Sequence, residues 1–200
     1  ERSIVNSPDE VVSAIEKIPL PVAIKAQVLV GGRGKVWGVK FASSMEEAVT
    51  QTRMLMTKTI KGHGVKCVLI EEKLDAKYEY YLGVTIDHLS GKPIVMISTE
   101  GGVDIETIAM KKTKAFLSKK VSISHGFSEL EARNMCKSLG LKGPFMKVSS
   151  ILHKLYEVFM KYDATLAEIN PLIITNEDKL CAADAKLEID DNSLFRHPDL

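Results

Sequence analysis

The chain has 200 residues, of which 45% are apolar and 26% are charged, and its formal net charge is +1. This apolar fraction is too high for a disordered chain, and 13 glycines and 7 prolines are too few for collagen-like or low-complexity classes. The near-neutral charge argues against a nucleic-acid partner, and no run of 18 apolar residues exists to span a membrane. These numbers indicate a folded globular protein of one or two domains.

The three cysteines are Cys67, Cys136 and Cys181, and no two of them form a CxxC pair. An odd number without close pairs argues against a disulfide framework, and the spacing is unlike that of a zinc site. We therefore expect a reducing compartment, which is the cytoplasm or, in a eukaryote, the mitochondrial matrix.

The first 60 residues predict two helices around a strand. A capping box of Ser7 and Glu10 predicts a helix that ends before Pro19. Residues 22–29 form an apolar run typical of a strand, and a second capping box, at Ser44, predicts the next helix.

The middle and end of the chain predict paired strands and separate helices. Strands are expected over residues 67–71, 78–87, 93–99, 164–175 and 179–184, and helices over residues 128–139 and 145–161. In the second of these strands apolar and polar residues alternate, which indicates burial on one face only. Strands paired in sequence with segregated helices indicate an α+β protein or a mixed α/β sandwich.

A glycine-rich turn, GGRGKVWG, begins at Gly31. It fits neither the Walker A nor the GxGxxG pattern. Its glycines would still allow backbone N–H groups to face an anion, and Arg33 and Lys35 would add positive charge. A tight hairpin with solvated basic side chains is the alternative. A later basic cluster, at residues 111–120, alternates with apolar residues and is interpreted as solvated surface.

The last predicted hairpin brings candidate metal ligands together. If residues 176–178 form a three-residue loop, Asn170 lies opposite Asp184, and Glu168 lies opposite Lys186. Carboxylate and amide oxygens suit Mg²⁺, which binds through one or two protein groups together with phosphate. The alternative is a polar cross-strand pair with a salt bridge from Glu168.

Neighbouring residues offer other interpretations of this hairpin. Pro171 could introduce a bulge that breaks the hairpin register. Glu71 and Glu79, on the predicted strands upstream, supply two more carboxylates whose alternative role is ordinary surface polarity.

Several motifs occur in a specific order along nearly the whole chain. They are KAQV at Lys25, GGRGK at Gly31, GVK at Gly38, STEGGVDIE at Ser98, AEINPL at Ala167 and FRHPDL at Phe195. Together they resemble the β subunits of succinate–CoA ligases, also called succinyl-CoA synthetases. The resemblance implies an α+β fold of the ATP-grasp type, with a nucleotide between two lobes.

The resemblance also implies a set of site residues. The positions that match nucleotide contacts are Lys25, Gly32, Arg33, Gly34, Glu71, Leu74 and Glu79. Asn170 and Asp184 match magnesium ligands, and Glu168 matches a catalytic glutamate that approaches a phosphohistidine. ATP or GTP with Mg²⁺ would then phosphorylate a histidine on a partner α subunit, and the phosphate would drive succinyl-CoA formation or its reverse, as in the tricarboxylic acid cycle.

The family pattern is incomplete in this chain. The family's first strand and helix would precede Glu1, and a flavodoxin-like domain that helps to bind CoA and succinate would follow Leu200. Residues 1–200 are thus expected to be an ATP-grasp domain truncated at both ends. Trp37 stands where the family has a small residue. A sister ligase for malate or acetate, or a non-catalytic nucleotide-binding module, remains an alternative.

Overall fold

A computed structural model of the chain describes residues 1–30, 37–102 and 114–199. The chain divides into two compact units, Glu1–Leu74 and Asp75–Leu200. Each unit has its own antiparallel sheet and its own hydrophobic core. The mixture of helix and sheet confirms the predicted α+β class.

The first unit contains a four-stranded antiparallel sheet and a short hairpin. In chain order its strands are β1 (Arg2–Val5), β2 (Val22–Gln27), β3 (Val39–Ala42), β4 (Thr59–Ile60), β5 (His63–Gly64) and β6 (Cys67–Glu72). The sheet order is β1-β6-β2-β3, and β4 pairs with β5. Helices α1 (Val11–Ile15) and α2 (Met45–Met56) belong to the same unit.

Alternating side chains of the central strands build the core of the first unit. Ile24 on β2 lies opposite Ile70 on β6, and both are fully buried with Leu55 of α2. Full burial of each such side chain contributes about 1.5–3 kcal/mol. The Ser44 hydroxyl accepts the N–H of Glu47 at 3.2 Å, which confirms the predicted start of α2. The opposite face of β2 and β6 carries both apolar and charged side chains, among them Lys25 and Glu71.

The first helix is shorter than predicted. A 3-10 turn, Pro8–Glu10, precedes α1, and the Ser7 side chain makes no capping bond to the backbone. Instead the carboxylate of Glu10 accepts the N–H of Asn6 at 2.9 Å. After α1, the N–H groups of Lys17 and Ile18 donate to carbonyls three residues earlier, as in a 3-10 turn. The α-helix therefore ends early, although Ile18 remains buried.

The second unit contains a larger antiparallel sheet with helices packed on one face. Its strands are β7 (Ala76–Asp87), β8 (Lys92–Ser98), β9 (Phe116–Lys120), β10 (Ala164–Thr175), β11 (Leu180–Ala182) and β12 (Ala185–Ile189). The order is β11-β10-β7-β8-β9, and β12 also pairs with β10. Helices α3 (Glu129–Ser138) and α4 (Phe145–Lys161) follow β9, and a 3-10 helix covers Asp191–Arg196.

Helix periodicity predicts the core of this unit well. Val148, Leu152 and Phe159 of α4 are buried against the sheet residues Leu82 and Ile174. The sequence prediction for β7 was wrong on one point, because it expected one open face. Both faces are buried in the middle of the strand. Tyr80 and Leu82 pack in the core against the helices, and Tyr81 on the other face is only 1% exposed.

The edge strand β9 was not predicted, because the lysine-rich segment that contains it is typical of solvated surface. Lys119 forms an ion pair with Glu131 at 2.8 Å, and Lys120 forms one with Asp87. Both lysine side chains remain about half exposed, as the prediction required. Charged side chains on an edge strand also oppose edge-to-edge association.

In the described ranges, no helix is long and apolar enough to cross a membrane. Cys67, Cys136 and Cys181 are all free thiols, and burial raises the pKa of the Cys136 thiol to about 11.

Candidate functional site

The register of the last hairpin follows the prediction made from its loop length. Glu168 of β10 lies opposite Lys186 of β12, and Leu172 lies opposite Ala182 of β11. Between these pairs, the N–H of Asn170 donates to the carbonyl of Asp184 at 3.0 Å. The three-residue loop therefore holds Asn170 and Asp184 at facing positions, as a shared metal site requires.

The bulge predicted at Pro171 exists, but it falls on the other side of the strand. Ile169 pairs with Leu82 and Leu172 pairs with Tyr80 of β7, so β10 carries one extra residue against β7. Against β11 and β12 the register is continuous through this point. The bulge therefore leaves the Asn170–Asp184 pairing intact.

Two glycines that follow β8, Gly101 and Gly102, contact Glu79 and Asn170. The N–H of Gly101 donates to the carbonyl of Glu79 at 2.9 Å, and the N–H of Gly102 donates to Oδ1 of Asn170 at 2.7 Å. A Cβ on Gly101 would lie 2.8 Å from the carbonyl oxygen of Tyr80. A Cβ on Gly102, whose φ is +70°, would lie 2.9 Å from Oε2 of Glu79. The two glycines thus bring Glu79 and Asn170 to the same place.

Glu168 is half-buried between neighbouring strands. Its cross-strand partners are Gly83 on β7 and Lys186 on β12. Burial raises the pKa of its carboxyl group, against the opposing effects of Lys186 and of a hydrogen bond from Tyr81; the charge of Asp184 adds to the increase. The carboxylate therefore accepts a hydrogen bond from a neutral hydroxyl group and is stabilised by the charge of a nearby cation.

The predicted alternative for Glu168 was a salt bridge to Lys186. Lys186 instead forms an ion pair with Glu188, two residues along β12, at 2.5 Å. Side chains two residues apart share a face of a strand, so Glu168, Lys186 and Glu188 form one row of charges. Lys186 therefore pairs with Glu188 and acts on Glu168 only through its charge, so the predicted salt bridge is wrong.

The first unit carries a separate pair of predicted residues. Lys25 lies in the middle of β2 and is only 9% exposed, and its ammonium group forms an ion pair with Glu71 of β6. Glu71 lies opposite Ala23, one step along the sheet from the Lys25–Leu69 pair, so both side chains share the face away from the core. This arrangement offers a fixed cation in the middle of a largely apolar strand.

The remaining predicted positions fall in different places. Leu74 is the last residue of the first unit and is half-buried. Gly32, Arg33 and Gly34 lie outside the described residues. Glu71 and Glu79 belong to different units. Glu71 pairs with Lys25, and the backbone carbonyl of Glu79 accepts the N–H of Gly101.

The donor set fits a magnesium ion. Asp184 supplies a carboxylate, and Asn170 supplies an amide oxygen whose two lone pairs allow a second interaction beside the N–H of Gly102. Across the part of the chain that the structure describes, no group of three or more His, Cys, Asp or Glu side chains could hold a metal by itself. Mg²⁺ commonly binds through only one or two protein groups together with substrate phosphates, so this set is sufficient.

Sequence reasoning assigned no role to Tyr81, Gly83, Gly101 or Gly102. Gly101 and Gly102 belong to the STEGGVDIE motif. Two consecutive glycines can indicate a close approach of two backbones, and this was the signal that could have identified them. Tyr81 gave no such signal, because its partner lies more than 80 residues away in the sequence.

A family model described as an ATP-grasp domain matches residues 1–174. The chain therefore belongs to the ATP-grasp family. Within it, the chain is similar to succinate–CoA ligase β subunits. It is 43% identical over 97% of its length to the GDP-forming β subunit of Thermus thermophilus, and 44% identical over 88% to the ADP-forming β subunit of Methanocaldococcus jannaschii. These relatives confirm the resemblance stated from the motifs.

The chain spans about half the length of these relatives, 51% and 49% respectively. A solved structure supports the fold. It is the dinucleotide-forming acetyl-coenzyme A synthetase 1 of Ca. Korarchaeum cryptofilum in complex with coenzyme A, Ca-AMPCP and HgCl⁺. The TM-score is 0.74 at 21% identity, with 95% of this chain and 85% of that chain covered.

Proposed function

We propose that the chain is the nucleotide- and magnesium-binding part of a succinate–CoA ligase β subunit. With ATP or GTP, the enzyme would phosphorylate a histidine on a partner α subunit. The phosphate would pass to succinate, and CoA would displace it to give succinyl-CoA and inorganic phosphate. The relatives at 43% and 44% identity support this reaction over that of a malate or acetate ligase.

The observation that carries the proposal is the hairpin that pairs Asn170 with Asp184. Its register sets an amide oxygen and a carboxylate at facing positions, and Gly102 orients the amide. A structural hairpin has no need of this combination. Mg²⁺ bound here would neutralise charge on the phosphates of the nucleotide.

Lys25 is the proposed phosphate contact of the first unit. In the described state its charge is balanced by Glu71. An ammonium group so held loses little side-chain entropy on binding a phosphate, because it is already fixed. The neighbouring residues Gly32, Arg33 and Gly34 are proposed to add backbone N–H groups and a guanidinium group, as phosphate loops do.

Glu168 is proposed to face the histidine of the partner subunit. A carboxylate beside an imidazole can accept its ring N–H and so fix the nitrogen that attacks the phosphate. The burial of Glu168 strengthens such an interaction, since the local dielectric constant is low. CoA and succinate are assigned to the partner and to the further domain that the resemblance implies. The free thiols suit the cytoplasm or the mitochondrial matrix.

Thermal melting with ATP or GTP, each with and without Mg²⁺, tests the binding part of the proposal. A nucleotide at 100 times its Kd stabilises a protein by about 2.7 kcal/mol, which raises Tm by roughly 5–10 °C for a chain of this size. We expect a magnesium-dependent shift that Asp184→Ala abolishes. Asp178→Ala, at the exposed tip of the same hairpin, should keep it.

The chemical part of the proposal is tested with the full-length protein and its α subunit. Label from γ-³²P nucleotide should appear on a histidine of the α subunit. A shift in Tm without any labelling would reduce the proposal to a nucleotide-binding module. The absence of both would overturn it.

A further inference from the structure

Tyr81 is almost completely buried although it points away from the helices. Its neighbours in β7, Tyr80 and Leu82, belong to the core that packs against α3 and α4. Tyr81 lies on the opposite face and is only 1% exposed. Its hydroxyl donates a hydrogen bond to the carboxylate of Glu168 on the neighbouring strand.

Gly83 explains how the Tyr81 ring reaches that carboxylate. A Cβ at position 83 would lie 2.2 Å from the Tyr81 hydroxyl oxygen and 2.7 Å from the ring carbon that bears it. The ring therefore lies across the backbone of Gly83. Gly83 itself is the cross-strand partner of Glu168. Any side chain at position 83 would occupy the space through which the hydroxyl meets the carboxylate.

The two groups beside Glu168 differ in how firmly they are held. Lys186 is a flexible side chain that also pairs with Glu188 at 2.5 Å. Tyr81 has two rotatable side-chain bonds, and its ring is confined by the backbone of Gly83. The phenol is therefore the fixed donor, and the ammonium group is the adjustable one.

We propose that Tyr81 is a positioning residue for Glu168, with Gly83 keeping open the space in which its hydroxyl holds the carboxylate. The inference rests on the proposed function, in which Glu168 acts on the histidine of the partner subunit. Because the phenol donates only one proton, the carboxylate keeps lone pairs free for an imidazole N–H. Tyr81 thus fixes the direction in which Glu168 presents them.

The test is Tyr81→Phe in the full-length β subunit assembled with its α subunit. Single-turnover labelling with γ-³²P nucleotide measures phosphorylation of the histidine. We expect the maximal rate to fall about tenfold or more, because a hydrogen bond to a charged group is lost. The KM for the nucleotide should stay within about twofold, because the inference gives Tyr81 a part in the transfer step and none in binding the nucleotide. An unchanged maximal rate would overturn the inference.

Tyr80→Phe is the matched control. This tyrosine is the next residue of the same strand and is also buried, and its hydroxyl donates to the carbonyl of Lys142 at 2.9 Å on the core face. The control removes an equivalent buried hydroxyl and should lower Tm while leaving the rate of labelling unchanged. A similar loss of rate in both variants would indicate a general structural effect and overturn the inference.

Glu168→Gln separates this inference from the proposed function. If Glu168→Gln labels the histidine at the normal rate, the proposed role of Glu168 fails. If it is slow while Tyr81→Phe is normal, only the positioning role fails. When Tyr81→Phe is added to Glu168→Gln, the rate should fall no further. Gly83→Ala, which displaces the ring, should reproduce the rate of Tyr81→Phe with the tyrosine still present.

Discussion

The N–H of Gly102 donates to Oδ1 of Asn170 across 2.7 Å, although 68 residues separate them in the sequence. This bond fixes which way the amide of Asn170 points, because an N–H donor selects the oxygen over the NH₂ group. The oxygen is the only atom of that amide suited to a magnesium ion. A backbone group thereby sets the orientation of a side chain proposed to hold a metal.

Gly101→Ala should destabilise the protein and weaken its binding of magnesium nucleotide together. The added Cβ would lie 2.8 Å from the carbonyl oxygen of Tyr80, and a β-strand backbone cannot easily move away. We expect a loss of about 1–3 kcal/mol in the free energy of unfolding, measured by urea denaturation. Nucleotide affinity in Mg²⁺, measured by titration calorimetry, should fall as the Gly102 bond breaks.

Gly64→Ala is the control for that substitution. No atom lies within 4 Å of the position its Cβ would take, so stability should change by less than about 0.5 kcal/mol. Equal losses in the two variants would contradict the close approach described for Gly101.

Lys25 and Glu71 should show strong energetic coupling. Both side chains are mostly buried, at 11% and 19% exposure, so removing one charge leaves the other poorly solvated. We expect Glu71→Gln to cost about 1–3 kcal/mol of unfolding free energy. Lys25→Met should cost much less unfolding free energy in the Glu71→Gln variant than in the wild type. A double-mutant cycle by denaturant unfolding measures the coupling.

The exposed pair of Arg133 and Glu129 on α3 provides the comparison. Their contact distance is 2.8 Å, but the two side chains are 41% and 51% exposed. Their coupling should not exceed about 0.5 kcal/mol. If the Lys25 cycle gives a value as small as this, burial is not what makes that pair important.

Glu131 should make the stability of the protein dependent on pH in the acid range. The Lys119 ammonium group and the N–H of Ser128 lower the pKa of this carboxyl from 4.5 to about 2. Because the folded pKa lies below the unfolded value, the stabilisation is complete above about pH 4.5 and is lost as the pH falls towards 2. After allowance for solvent screening, we expect Glu131→Gln to cost about 1 kcal/mol at pH 7.

Unfolding curves from pH 7 to pH 2 check this prediction. The difference between the wild type and Glu131→Gln should shrink through that acid window. Glu129→Gln, on the same helical turn, should lower stability by only a few tenths of a kcal/mol throughout. A difference for Glu131→Gln that stays constant down to pH 2 would contradict the assignment.

Local sequence patterns predicted much of the fold. The helix over 145–161 and the strand over 164–175 were predicted to the residue, because apolar periodicity and flanking turns agreed. The pairing of Glu168 with Lys186 followed from loop length alone, since a three-residue loop fixes every later pair in a hairpin. The ATP-grasp assignment came from the motifs and is confirmed by the family match.

Long-range packing accounts for what could not be predicted. The alternation in β7 suggested an open face, but Tyr81 on that face is buried. Its ring lies over Gly83, which pairs with the distant residue Glu168. The approach of Gly101 to Tyr80 likewise joins distant segments. The roles assigned to individual residues, among them Lys25 and Asp184, stay predictions until variants are tested.

The bulge in β10 restricts how the length of this strand can change during evolution. Deleting one residue between Ile169 and Leu172 would bring the pairing with β7 into continuous register. The same deletion would transfer the irregularity to the hairpin, where Asn170 and Asp184 now face each other. Point substitutions here leave both pairing registers unchanged. A change of length makes the register regular on one edge of β10 and irregular on the other. Aligned relatives that keep the two facing residues should therefore contain no gap at this point.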